Sequence, residues 1–161
     1  MNRNLLIGVD PGLSGAVAFY NFESKRLEGV HDMPLIKKAN GKHEIDTFSL
    51  TQIIDRVWTR VELAVIEEVH SMPKQGVAST FTFGYAAGLI AGTISAFNIP
   101  VLKTPPAVWK SLCGLNANKD FSRASAITLF PEFEKNFSKK KDDGRAEAAI
   151  LAKFGERFLS K

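Results

Sequence analysis

Residues 5 to 20, LLIGVDPGLSGAVAFY, place two apolar runs on either side of a very short turn. Leu5 to Val9 and Gly15 to Asn21 read as strands, and the Pro-Gly turn between them leaves room only for a tight reversal. The first run ends on one carboxylate, Asp10, followed at once by Pro11 and Gly12. This stretch commits the fold to a sheet that carries an acid at the mouth of a buried strand.

The rest of the chain supplies partners for that sheet. Arg26 to Met33 reads as a third strand, with Leu27 and Val30 as apolar members. Lys37 to Glu44 is a polar loop with three lysines and one glycine. Phe48, Leu50, Ile53, Ile54, Val57, Trp58 and Val61 recur at helical spacing, which predicts a helix over 48–61 capped by Thr47 or Ser49. Leu63 to Ile66 is a short buried strand ending on Glu67 and Glu68, and HSMPKQG, residues 70 to 76, is a loop. Val77 to Phe97 predicts a long, almost charge-free helix with small residues at Ala86, Ala87, Gly88, Ala91 and Gly92. A helix apolar on most sides is expected to be buried on most sides, here against the sheet and a second subunit. Pro100 to Lys103 is another strand, and TPPAVWKSLCGL starts a helix at its prolines. Phe121 to Phe130 is helical up to Pro131, and Gly144 to Leu159 forms the last helix. The order β-β-β-α-β-α-β-α-α describes one mixed-sheet α/β domain over residues 1–161, with helices on both faces.

Bulk properties narrow the function. A chain of 161 residues with 45% hydrophobic and 24% charged residues builds an ordinary globular core. The single cysteine, Cys113, has no internal disulfide partner, so a reducing cytoplasmic compartment is the default. The N-terminal residues do not form a signal peptide, and Ala86 to Phe97 is too short for a bilayer. Net charge is +4 with pI about 9.2. The basic residues gather at Lys103, Lys110, Lys119, Arg123, Lys135, Lys139, Lys140 and Lys141. Cations around a few acids suit a polyanionic partner beside a metal site; a solvated lysine face is the plain alternative.

The acids with chemical promise all stand at element ends. Asp10 closes the first strand and Glu67 the strand after the first helix. Asp143 precedes the last helix by a residue, and Glu147 lies in its first turn, four residues on. Each has a structural reading as well: a turn-opening Asp, a surface Glu, acids on a helix N-terminus. Together they repel one another unless a cation joins them. Carboxylates with water and phosphate oxygens are the ligands Mg²⁺ or Mn²⁺ prefers, and two such ions about 3.5–4 Å apart clamp a phosphodiester for in-line attack by water.

The stretches IGVDPGLSGAVAF, AVIEEVHSMPKQGVASTFTFGYAAGLIAG, PPAVWKSLCGL and KDDGRAEAAILAKFG resemble, in this order, the RuvC family of Holliday-junction resolvases, most closely its phage and prophage branch. The resemblance runs from about Leu5 to Gly155. It implies an RNase H-like fold, a five-stranded mixed sheet flanked by helices. It also implies a homodimer, paired on the 77–97 helix, that nicks four-way and other branched DNA with two Mg²⁺ per site, Mn²⁺ substituting. By position, Asp10, Glu67, Asp143 and Glu147 match the metal-binding acids and Lys110 a catalytic lysine near the scissile phosphate. Gly144 stands where the family usually has the first acid of the last pair, so Asp143 takes that role, with Asp142 as its rival. Lys110 and Lys119 match DNA-binding lysines, and Lys74, Arg123, Lys140 and Lys141 extend that set. His70 stands where some members carry an aromatic that stacks on a base. Trp109 reads as core. Two other readings share the pattern: a non-catalytic junction binder of the same fold, and an actin-like or sugar-kinase ATPase fragment, which would need a second domain to form its cleft.

Overall fold

The computed structural model describes residues 2–71 and 74–159; Met72 and Pro73 of the 70–76 loop lie outside the described residues. Strands β1 (Leu5–Asp10), β2 (Ala16–Asn21) and β3 (Arg26–Asp32) form an antiparallel meander. Two short strands, β4 (Leu35–Lys37) and β5 (His43–Ile45), pair with each other. Helix α1 (Thr47–Asp55) then leads to β6 (Val61–Glu67), which runs parallel to β1. Helix α2 (Val77–Ser95) leads to β7 (Val101–Thr104), parallel to β6. Helices α3 (Pro106–Leu112), α4 (Lys119–Leu129), α5 (Glu134–Phe137) and α6 (Asp143–Phe154) complete the chain. The main sheet has the order β3-β2-β1-β6-β7, a five-stranded mixed sheet with helices on both faces, as expected.

The alternation of β1 sends its side chains into two cores. Leu5, Ile7 and Val9 join Leu50, Ile54, Ile90 and Ile94 on the side of α1 and α2. Leu6 faces the other layer, with Trp109, Ala126, Phe130 and the apolar stripe of α6. Gly8 lies on that second face, and a Cβ there would strike the backbone of Ala148 and Ala152. The missing side chain lets α6 lie directly on the central strand, where Ala146 through Ala152 are all buried. This close approach carries the first turns of α6 to the carboxyl end of β1.

Several boundaries differ from the sequence reading. The 37–44 segment is not an irregular loop; its ends are strands of the β4–β5 hairpin. The α1 cap is neither Thr47 nor Ser49. Asp46 accepts from the Ser49 backbone N–H at 3.1 Å and from its hydroxyl at 2.6 Å. The helix predicted over 48–61 stops at Asp55, because Val57 leaves helical angles (φ −133°, ψ −8°); a 3₁₀ turn over Trp58–Arg60 follows. The strand there is longer than read, starting at Val61. Helix α4 begins two residues earlier, at Lys119, with the Asn118 side chain accepting from Asp120 N–H at 2.9 Å. The final helix begins at Asp143 itself and passes into a 3₁₀ turn at Gly155. Helix α2 is buried on one face only: Ala86, Ile90 and Ile94 enter the core, while Val77, Phe81 and Tyr85 stay exposed. It is long and apolar enough to cross a membrane by length and composition, but its buried stripe packs on the sheet.

Candidate metal centre at the carboxyl edge of the sheet

Parallel strands put their C-terminal residues at one edge, and here those residues are acids. Val9 and Ile66 are register partners, so Asp10 and Glu67 leave β1 and β6 side by side. Glu147, on the second turn of α6, comes onto them from above through the contact at Gly8. One carboxylate oxygen from each of Asp10, Glu67 and Glu147 lies within 4.8 Å of the other two. The turn after β1 is equally tight. Gly12 has φ +148°, a conformation costly for other residues, and a Cβ on Gly15 would strike the Asp10 carbonyl.

The trio is held from the side by α3 and α4. Trp109, fully buried, donates its indole N–H to Glu67 Oε2 at 2.9 Å. Lys110 Nζ donates to Glu147 Oε1 at 2.8 Å, and the buried Ser122 hydroxyl donates to the same oxygen at 3.2 Å. Trp109 is therefore core, as read, and also a carboxylate anchor. A buried indole N–H needs an acceptor, which was the available signal for that role. Ser122 was missed; a single serine inside a helical pattern announces no partner.

Burial, reinforced by the charges of Glu147 and Glu67, pushes the Asp10 carboxyl well above the usual carboxylate range, against the opposing pull of Lys119. Burial also raises Glu67, although the Trp109 hydrogen bond and the Lys110 charge work the other way. Three converging carboxylates, two of them pushed up by burial, form a site that a cation would relieve. The donors are all carboxylate oxygens, with no sulfur or imidazole among them. Such a set fits a hard divalent ion of the Mg²⁺ or Mn²⁺ kind.

The other residues singled out from the sequence lie around this centre. Asp143 is not in the trio; its carboxylate is taken by Lys119, whose ammonium is held protonated by that hydrogen bond. Asp142 is buried and turned away, accepting from the Lys139 backbone N–H at 2.9 Å and standing 3.6 Å from Arg145. Gly144 explains why no acid occupies the position three before Glu147. A Cβ there would lie 2.5 Å from the Ser14 carbonyl and 3.1 Å from Asp10 Oδ2. His70 is exposed, with Glu68 at 3.9 Å. Lys74 is exposed at φ 67°. Arg123 pairs with Asp120 at 2.5 Å and reaches the Ser138 carbonyl at 3.3 Å. Lys140 and Lys141 are exposed on the 3₁₀ turn before α6.

No protein-family model matches the sequence, and no curated protein matches it. Solved structures do. A structure of Thermus thermophilus RuvC aligns at TM-score 0.55 with 14% identity, over 96% of this chain and 96% of that one. T. thermophilus RuvC in complex with a Holliday junction substrate aligns at TM-score 0.60 with 16% identity, over 97% of this chain and 96% of that one. The chain has a RuvC-like fold of the RNase H type.

Proposed function

We propose that the protein is a divalent-metal-dependent endonuclease that nicks branched DNA, four-way junctions among its substrates, as a homodimer in the cytoplasm. The observation that carries this reading is the convergence of Asp10, Glu67 and Glu147 on a RuvC-like fold. Asp10, Glu67 and Glu147 would hold the metal, Mg²⁺ or Mn²⁺, with Asp143 reaching the site only if it leaves Lys119. A cation bound there supplies charge to offset that of the phosphodiester and makes water a better nucleophile at neutral pH.

The chain's own groups then have separate tasks. Trp109 fixes the Glu67 carboxylate, and Ser122 and Lys110 fix that of Glu147, so two acids from different elements keep one geometry. Lys110 and Lys119 bring positive charge to the rim, where a scissile phosphate would sit. Arg123, Lys140 and Lys141 extend that charge outward for the arms of a branch, giving salt-dependent binding that reads shape. A two-fold axis across the exposed face of α2 would set two sites against two strands.

The test is a nicking assay on a synthetic four-way junction, with and without Mg²⁺, using Asp10→Asn as the control. Paired nicks that need both Mg²⁺ and Asp10 support the reading. A retarded complex without nicks leaves a junction binder, and the absence of both nicks and complex would sink both readings.

A further inference from the structure

The β4–β5 hairpin spans the segment that the sequence predicts as a polar, lysine-bearing loop over 37–44. A two-stranded hairpin is marginal by itself, so its order must come from its root. Met33 before it and Ile45 at its end are both buried in the layer with α1 and α2. Asp46 N–H bonds the Pro34 carbonyl at 2.9 Å, closing the base. At the tip, Lys38 N–H bonds the Lys42 carbonyl at 2.8 Å, and Gly41 takes the turn at φ +80°. The hairpin's exposed side chains comprise three lysines beside Leu35, Ile36, Ala39, Asn40 and His43. Lys37, Lys38 and Lys42 stand against one acid, Glu44, which pairs with Lys38 at 3.4 Å.

One of these cations, Lys42, lines a groove that ends at the turn following Asp10, and Lys37 and Lys38 stand exposed on the same hairpin. A cleft of about 310 Å³ is lined by Lys42 of the hairpin, by Ser79, Thr82 and Phe83 of α2, and by Gly12 and Leu13. Gly12 and Leu13 belong to the turn that directly follows Asp10. Helix α2 carries no Asp, Glu, Lys or Arg, so no acid on it opposes the hairpin. Its positive N-terminal end adds to the same field. Ser79, Thr82, Phe83 and Ala86 share one helical face, opposite the exposed face of Phe81, Tyr85 and Gly88.

We propose that the β4–β5 hairpin is a strand guide: Lys37 and Lys42 bind the phosphodiester backbone of a DNA strand and lead it along the α2 cleft to the carboxylate centre. The inference rests on the nuclease reading and names a surface that reading does not include. A braced hairpin holds its backbone in place before binding, so less order has to be imposed by the DNA.

The experiment uses the full chain carrying Asp10→Asn, so that DNA is bound and not cut. Binding to a four-way junction is measured from low to moderate salt. It is then repeated with Lys37→Gln and Lys42→Gln added, and separately with Lys25→Gln, in the β2–β3 turn at the other end of the sheet. The hairpin pair is expected to weaken binding about tenfold and to lower the slope of log K on log salt by about 2, while Lys25→Gln changes neither. Exposed substitutions of this kind leave the melting temperature nearly unchanged, which controls for folding. An unchanged slope with the hairpin pair overturns the strand guide and leaves the nuclease reading standing. A change in sedimentation with no change in slope also overturns it, assigning the hairpin to self-association. If the Asp10→Asn protein binds no junction at all, both readings fall together.

Discussion

Lys110 Nζ and Glu147 Oε1 lie 2.8 Å apart, the cation on α3 and the carboxylate on α6, and both side chains are largely out of solvent. Glu147 is thus bound on one side by a fixed positive charge and faces two further acids on the other. Replacing Lys110 with Met removes the charge and keeps most of the stem. On the nuclease reading, nicking should fall by about 10²–10³-fold, the usual cost of one preorganised electrostatic contact. Junction binding should change by less than tenfold, since one phosphate contact at most is lost. Single-turnover nicking beside a gel-shift titration separates the two effects. Equal losses in both would make Lys110 a binding residue only.

Asp10 gives a pH-dependent prediction for the metal-free protein. Its folded-state proton affinity is raised, so between the unfolded and folded pKa values the native state binds more protons than the unfolded one. Stability attributable to Asp10 is therefore greatest below the unfolded value and is lost as pH rises through the folded value. Asp10→Asn removes that loss. In EDTA at pH 8 the variant should melt above the wild type, by about 2–4 °C for each kcal/mol recovered, and the gap should shrink toward pH 4. Added Mg²⁺ should raise the wild-type melting temperature and leave the variant's almost unmoved. A wild type that melts higher than Asp10→Asn at pH 8 without metal would show that Asp10 is satisfied by protein groups instead.

Gly144 carries a third prediction. Its backbone lies so near Ser14 and Gly15 that a methyl group at Cβ must displace the turn holding Asp10. Gly144→Ala gains helix propensity, which alone would stabilise by about 1 kcal/mol. The clash with backbone should outweigh this and leave a net loss of about 1–3 kcal/mol. Gly144→Asp, which places an acid three residues before Glu147, should lose at least as much and should not improve nicking. Thermal melts of both variants decide the point; an active, stable Gly144→Asp would mean that the turn yields easily.

The same glycine marks where the sequence stopped being informative. The strands around Asp10, the strand ending on Glu67 and the helix bearing Glu147 were legible, because apolar runs and periodicity are local signals. Their convergence was legible only through the ordered resemblance, since no local pattern says that β1 and β6 are neighbours. Asp143 was matched by the resemblance to the first acid of the last pair, because Gly144 stands at the usual position. The structure gives its carboxylate to Lys119 from another helix, a long-range contact that spacing cannot express. The β4–β5 hairpin was hidden for a related reason. Its strands are three residues each, too short to show alternation, and its stability comes from Met33 and Ile45 in the main core. The sheet-facing stripe of α2 was legible as core, but an apolar helix surface looks the same whether its partner is in the chain or outside it, so the sequence did not say which side met the sheet.

Trp109 offers a test of support without direct chemistry. Its N–H bond to Glu67 draws the Glu67 pKa down against the burial that raises it. Trp109→Phe keeps the ring and removes the donor, so Glu67 should titrate at higher pH. Mg²⁺ binding then meets stronger competition from protons. The affinity ratio of wild type to variant should be larger at pH 6 than at pH 8. Isothermal titration with Mg²⁺ at both values measures this; a ratio independent of pH would leave Trp109 a packing residue alone.

The exposed face of α2 carries the last prediction. Val77, Phe81 and Tyr85 are 88%, 73% and 52% exposed, an unusual amount of apolar surface for one helix. Phe81 and Tyr85 stack with ring centroids 6.1 Å apart and planes 8° from parallel. A Cβ added at Gly84, Gly88 or Gly92 would meet nothing within 4 Å, so a second backbone can come close along this line. If two copies pair there, each presents the same face to the other, and one substitution acts twice. Tyr85→Glu and Gly88→Glu should each shift the protein from dimer to monomer in sedimentation analysis. Ile90 and Ile94 stay in the core, so the variants should keep a cooperative melt. The monomer should still bind Mg²⁺, because Asp10, Glu67 and Glu147 come from one chain. It should nick one strand of a junction without coordinating the second cut, which a native agarose gel of a cruciform plasmid reads as nicked circles in place of linear product. A Tyr85→Glu protein that remains dimeric would place the subunit contact on another face.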